Sequence, residues 1–327
     1  MAGSVDLAEL EKGVLAGDRG SLSRAITLAE STRPEDAPLA QSLIADLLPR
    51  TGGSLRVGLT GVPGAGKSTA IEALGLWLLE RGKKVAVLTI DPSSTRTGGS
   101  ILGDKTRMQQ LSASEEAFIR PSPSGGVLGG VARRTREAIL LCEAAGYDVV
   151  LVESVGVGQS EAEMADLVDT LCLLLVPGTG DELQGIKRGL MEVADVVVVN
   201  KADGDRVNAA NRARGDFRQA LHMLPPSTPS WETPVLTASA LEGTGLAEIW
   251  DAIEGHRALL EESGLLEERR ARQREVWLDA MIEDAALEHF LAREGMVEAV
   301  QAARAAVASG DKTVPEAVLE ILEAADG

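Results

Sequence analysis

Nine residues, Gly61-Val62-Pro63-Gly64-Ala65-Gly66-Lys67-Ser68-Thr69, carry the spacing G-x-x-x-x-G-K-[ST], between the apolar run LRVGLT and the helix-like run AIEALGLWLLE. The chemistry this spacing serves is phosphate binding. Gly61, Gly64 and Gly66 let backbone N–H groups wrap phosphate oxygens, and a following helix start adds positive potential. Lys67 reaches the outer phosphates, and Ser68 is placed to ligate Mg²⁺.

A second group reads the base. Asn200-Lys201-Ala202-Asp203 follows the apolar run DVVVV, which places it at the C-terminal end of a strand, where open α/β sheets bind ligands. The Asp203 carboxylate can accept hydrogen bonds from both N1–H and the 2-amino group of guanine, whereas adenine offers no such pair of donors on that edge. The nucleotide expected is GTP, with GDP as product. Ser239, Ala240 and Leu241 follow a further strand in PVLTASALEGTG and resemble the short Ser-Ala motif that backs guanine in GTPases.

The γ-phosphate needs a third group. YDVVLVESVGVGQSE ends a strand at Glu153 and places Gly156 three residues on, where GTPases usually carry Asp-x-x-Gly. The acid reaches Mg²⁺ and the glycine N–H meets the γ-phosphate. Asp91, which ends KVAVLTI, and Asp104, in the Gly-rich stretch DPSSTRTGGSILGDKTRM, are further Mg²⁺ candidates. A turn carboxylate for Asp91 and a solvated acid for Asp104 are the other readings. PGTGDELQGIKRG, Pro177 to Gly189, reads as a nucleotide-sensing loop or as a solvated helix start. Gln159 reads as a water-orienting group, a partner contact or a solvated side chain.

The elements that must position these groups are legible as LRVGLT, KVAVLTI, YDVVLVE, TLCLLLVP, DVVVVN and PVLTASA. Nearly continuous Val, Leu and Ile indicate strands buried on both faces of a mostly parallel, doubly wound α/β sheet. Before them, residues 5–49 have apolar residues at helical spacing, broken at Gly17, Asp18, Gly20 and Pro34, and predict three short helices. After about His256 the strands stop. LLEERRARQREVWLDAMIEDAALEHFLAREGMVEAVQAARAAVASG predicts long helices that pack on the core or pair with a second copy. The expected organisation is an N-terminal helical segment (1–50), a P-loop GTPase domain (51–258) and a C-terminal helical dimerisation segment (259–327).

Composition excludes some classes. A formal charge of -18 over 327 residues repels a phosphate backbone, and 2% aromatics leave little for stacking on bases, so no nucleic-acid partner is expected. Cys142 and Cys172 each lie in an apolar segment and read as inert core residues. No apolar run approaches the ~20 residues a membrane span needs. MAGSVDLAELEKG lacks a basic start followed by an apolar stretch, and a cytoplasmic protein is expected.

The order of these motifs resembles the G3E branch of P-loop GTPases, named for the glutamate in the third motif, whose members assemble metallocentres and cofactors. Within it, TIDPSS, GSILGDKTRM, FIRPSPSGGVLGGVARRTREA, VESVGVGQSE and PGTGDELQGIKRG resemble the methylmalonyl-CoA mutase-associated GTPases of MeaB or ArgK type. The likeness covers about residues 40–258 and extends in helical character to both ends. It implies a homodimeric GTPase that binds an adenosylcobalamin-dependent acyl-CoA mutase and couples GTP binding and hydrolysis to cofactor loading and protection of the mutase.

Carried over residue by residue, it implies a nucleotide site of Gly61 to Thr69, Asn200, Lys201, Asp203 and Ser239 to Leu241. The Mg²⁺ neighbourhood is Ser68, Asp91, Asp104 and Glu153. Lys67, Asp104, Glu153 and Gly156 serve hydrolysis, and about Ser93 to Arg107, Val155 to Asp166 and Pro177 to Arg188 form mobile loops. The ArgK label leaves a P-loop kinase of a small molecule or transport protein as an alternative. A metallochaperone is the weaker alternative, because three histidines and two distant cysteines are a poor ligand set for nickel or zinc.

Overall fold

The computed structural model describes residues 6–91, 108–123, 130–154, 164–177 and 188–326. Three helices come first: α1 (Leu7–Leu15), α2 (Arg19–Ala29) and α3 (Asp36–Leu47). Asp18, which breaks the apolar periodicity in sequence, caps α2 by accepting the Ser21 N–H at 2.7 Å. The α/β core follows as β1 (Leu55–Gly61), α4 (Lys67–Leu79), β2 (Val85–Asp91), α5 (Gln109–Ala113), β3 (Ala117–Pro123), α6 (Gly130–Ala144) and β4 (Val149–Ser154). It continues through β5 (Thr170–Leu175), α7 (Arg188–Val193), β6 (Val196–Val199), α8 (Val207–Leu221), β7 (Val235–Thr237) and α9 (Leu246–Glu262). The chain ends in α10 (Leu265–Leu291), α11 (Met296–Ser309) and α12 (Val314–Asp326).

The seven strands form one parallel sheet in the order β3-β2-β4-β1-β5-β6-β7. One of them, β3, escapes the apolar-run reading. Its sequence AFIRPSP interrupts the hydrophobic run with Arg120 and two prolines, which a strand tolerates only at a sheet edge, and β3 is at the edge.

Helices cover both faces. On one, Ile71, Leu74 and Leu78 of α4 and Trp250 and Ile253 of α9 meet Val57, Leu59, Leu151 and Val198. On the other, Ile139 of α6 and Leu22, Ile26 and Leu43 of α2 and α3 join Leu88, Val150 and Val152, while Phe217 of α8 joins Leu173 and Val197. Each of these large apolar side chains contributes roughly 2 kcal/mol by leaving water.

The N-terminal edge of the sheet holds a buried ionic network. Asp169, just before β5, accepts from Arg270 Nε at 2.8 Å and Nη2 at 2.7 Å, and from Arg257 Nη1 at 2.7 Å. Burial alone would raise the Asp169 pKa, but hydrogen bonds and charge from Arg270, with Arg56 and Arg257, hold it below its ordinary value. Asp195, just before β6, accepts the Leu171 N–H at 2.9 Å and pairs with Arg269. His256 bridges Thr170 Oγ1 at 2.8 Å and Thr228 Oγ1 at 3.0 Å, and burial pushes its pKa down to about 4, so it is neutral at physiological pH.

Asp169→Asn takes from the buried Arg270 the carboxylate charge it is hydrogen-bonded to. The expected cost is about 3 kcal/mol of unfolding free energy, read as a lowered urea midpoint at unchanged slope. An unshifted midpoint would mean the pair contributes no net stability.

The chain divides into two compact units, Met1–Gln273 and Arg274–Gly327. In the second, Thr313 and Glu316 form a reciprocal cap at the start of α12, with Thr313 N–H to Glu316 Oε2 at 3.0 Å and Glu316 N–H to Thr313 Oγ1 at 3.4 Å. Leu278, Ile282, Leu287, Val314, Leu319 and Leu322 are exposed there. Among the described residues, no helix is long and apolar enough to cross a membrane.

Candidate active site

β1 is the strand at which the topology reverses, with β4, β2 and β3 on one side and β5, β6 and β7 on the other. A crevice at the C-terminal ends of the strands beside such a reversal is where open α/β sheets hold ligands. The chain leaves β1 there through Gly61 and enters α4 at Lys67.

Two glycines in this turn are dictated by their surroundings. Gly61 has φ 148°, and a Cβ on it would lie 2.1 Å from the Leu174 carbonyl oxygen. Gly66, at φ 85°, would bring a Cβ to 2.9 Å from Asn200 Nδ2. Both positions combine a left-handed backbone with close contact, so a side chain at either displaces the loop. Ala65 is fully buried beneath the turn, while Pro63, Gly64 and Thr69 are exposed and Val62 is half-buried. Lys67 is buried, and its Nζ donates to the Gly61 carbonyl at 2.8 Å and the Val62 carbonyl at 3.4 Å.

Ser68 and Glu153 come from elements 85 residues apart and meet, with Ser68 Oγ donating to Glu153 Oε1 at 2.9 Å. Parallel pairing sets Glu153 beside Leu59 of β1 and Thr89 of β2. One hydroxyl and one carboxylate converging where the phosphate loop enters α4 form an all-oxygen donor set, which suits Mg²⁺. The Asp91 side chain, Asp104, Gly156 and Gln159 lie outside the described residues, as does most of Pro177 to Gly189.

The residues expected to read the base assemble across β6 and β7. Asn200, buried at the end of β6, donates from Nδ2 to the Ala65 carbonyl at 2.8 Å and accepts the Ala240 N–H on Oδ1 at 3.1 Å. It therefore ties the phosphate loop to the loop after β7. Lys201 has φ 60°, a left-handed conformation that a non-glycine residue adopts at a cost, and the Ala202 N–H bonds to the Ala238 carbonyl at 2.9 Å. Asp203 is buried; its Oδ2 accepts from Ser239 Oγ at 2.7 Å. Ser239 in turn accepts the Glu242 N–H at 3.1 Å, and Leu241 beside it is 80% exposed.

One participant was not anticipated from the sequence. Arg206 pairs with Asp203 Oδ1 at 3.2 Å, so both carboxylate oxygens have a donor that holds the group in one orientation. Its position three residues after Asp203, at the end of a turn of 3₁₀ helix, is the signal that could have identified it.

Fold and cradle together place the chain among the P-loop GTPases. The family model for the methylmalonyl Co-A mutase-associated GTPase MeaB matches residues 22–295, and the chain belongs to that family. The GTPase ArgK of Escherichia coli (strain K12) is 51% identical over 294 residues, 90% of this chain and 89% of that protein. The methylmalonic aciduria type A homolog, mitochondrial, of Mus musculus is 46% identical over 311 residues, 92% of this chain and 75% of that protein. The crystal structure of an LAO/AO transport system kinase is 40% identical in sequence, with TM-score 0.77 and full coverage of both chains. The chain is a GTPase of the G3E type, hydrolysing GTP to GDP and phosphate.

Proposed function

We propose that this GTPase serves an adenosylcobalamin-dependent acyl-CoA mutase, methylmalonyl-CoA mutase or a relative, in the cytoplasm. In this reading GTP binding and hydrolysis are coupled to loading of the cobalamin cofactor and to protection of the mutase. The observation that carries it is the match to the mutase-associated family over residues 22–295.

In the proposed mechanism water attacks the γ-phosphorus in line, and positioning does most of the catalysis. Gly61 to Thr69 cradle the phosphates and Lys67 offsets their charge. Gly156 holds its loop against the γ-phosphate. Asp203, oriented by Ser239 and Arg206, reads guanine, while Asn200 and Lys201 hold the base loops. Ser68 and Glu153 would hold Mg²⁺, with Asp91 and Asp104 completing the set, and the ion supplies charge neutralisation when bound. Residues 51–258 form the GTPase domain in this reading, flanked by helical segments 1–50 and 259–327.

Phosphate release from GTP, with ATP as control, tests the coupling. A purified cobalamin-dependent acyl-CoA mutase at saturation is expected to accelerate GTP turnover and leave ATP unaffected. Unchanged turnover would sink the mutase reading and leave the GTPase. A second reading, a kinase, is favoured by the likeness to the LAO/AO transport system kinase. The same assay separates the two, because a kinase moves the γ-phosphate to an acceptor in place of water.

The exposed Leu278, Ile282, Leu287, Leu319 and Leu322 support a homodimer through the C-terminal helices. Light scattering is expected to give twice the chain mass of 34.2 kDa, falling to one chain for Leu319→Glu/Leu322→Glu. A wild-type monomer at micromolar concentration would rule this out.

A further inference from the structure

Thr60 immediately precedes the phosphate loop and Ser154 immediately follows Glu153. Both are fully buried, and Ser154 Oγ donates to Thr60 Oγ1 at 2.9 Å. Along β1 and β4 the parallel register ends at Leu59 and Glu153. The hydroxyl pair thus joins the two strands one residue beyond their last paired positions, at the point where β1 turns into the cradle and β4 delivers its carboxylate.

Side chains alternate along a strand, so Thr60 and Ser154 lie on the sheet face opposite Leu59 and Glu153. Both hydroxyls therefore face away from the Ser68–Glu153 contact. We infer that Thr60 and Ser154 are positioning residues for GTP hydrolysis: their hydroxyl bond sets the separation between the Gly61 turn and Glu153, and through it the Ser68–Glu153 contact 2.9 Å long. This rests on the assignment of Gly61 to Thr69 and Glu153 to the nucleotide site.

The alternative is a buried polar pair that supports stability alone, and the two differ in a double variant. Thr60→Val or Ser154→Ala strands one buried hydroxyl, which lowers the melting temperature. Thr60→Val with Ser154→Ala removes both and recovers most of it. A positioning role predicts that kcat for GTP stays down about tenfold in the double variant as in each single one, with KM within about twofold. Thr60→Ser, which keeps the hydroxyl, is expected to retain wild-type kcat.

A double variant whose kcat recovers together with its melting temperature would overturn the proposal, as would a Thr60→Ser variant as slow as Thr60→Val. Lys67→Ala run alongside separates the underlying assignment. If that variant hydrolysed GTP at the wild-type rate, the site itself would be misplaced and the positioning role would fall with it.

Discussion

Asp203→Asn is expected to exchange guanine for xanthine as the preferred base. The carboxylate presents two acceptors, held in one orientation by Ser239 Oγ at 2.7 Å and Arg206 at 3.2 Å, and guanine presents two donors to them. An asparagine amide presents one acceptor and one donor. It then faces the guanine 2-amino group donor to donor, whereas the 2-oxo group of xanthine accepts from it. Unpaired polar groups in a buried recognition site cost heavily, so kcat/KM for GTP should fall roughly 10⁴-fold and xanthosine triphosphate should become the better substrate. Steady-state hydrolysis of the two nucleotides reads this directly. Retained GTP preference would remove Asp203 from base recognition, and the kinase reading would gain.

The second large effect is expected at Lys67. Its ammonium is bound between two carbonyls at the neck of the loop, beside where the phosphate oxygens are expected. Lys67→Ala removes a charged donor that acts most strongly as charge develops in the transition state. The expected loss is about 10³-fold in kcat, or about 4 kcal/mol. Circular dichroism should show the fold retained. Phosphate release measures the loss, and a mutase pull-down without nucleotide is expected to be unchanged while its GTP dependence disappears. A variant within tenfold of wild type would remove Lys67 from the catalytic group.

The candidate site could be proposed from sequence because its motifs are local. The Gly61–Thr69 spacing, the Asn200–Asp203 run at the end of an apolar strand, and Glu153 at the end of another each depend on neighbours a few residues away. Six strands were readable for the same reason, since continuous Val, Leu and Ile mark burial on both faces. The edge strand β3 was not, because a strand hydrogen-bonded along one edge only accommodates two prolines, which with Arg120 cut its apolar run short.

The sequence by itself therefore determined a buried parallel sheet and the local motifs proposed to cradle phosphate and to read guanine. Only the tertiary structure decided how these meet. Asn200 bonds Ala65 across 135 residues, Ser68 bonds Glu153 across 85, and Thr60 bonds Ser154 across 94. Arg270 closes on Asp169 across 101 residues at the opposite edge. The reason is physical: a motif is written in the local backbone and its period, whereas these pairs exist only once strand order and parallel register bring distant segments within a hydrogen bond of each other.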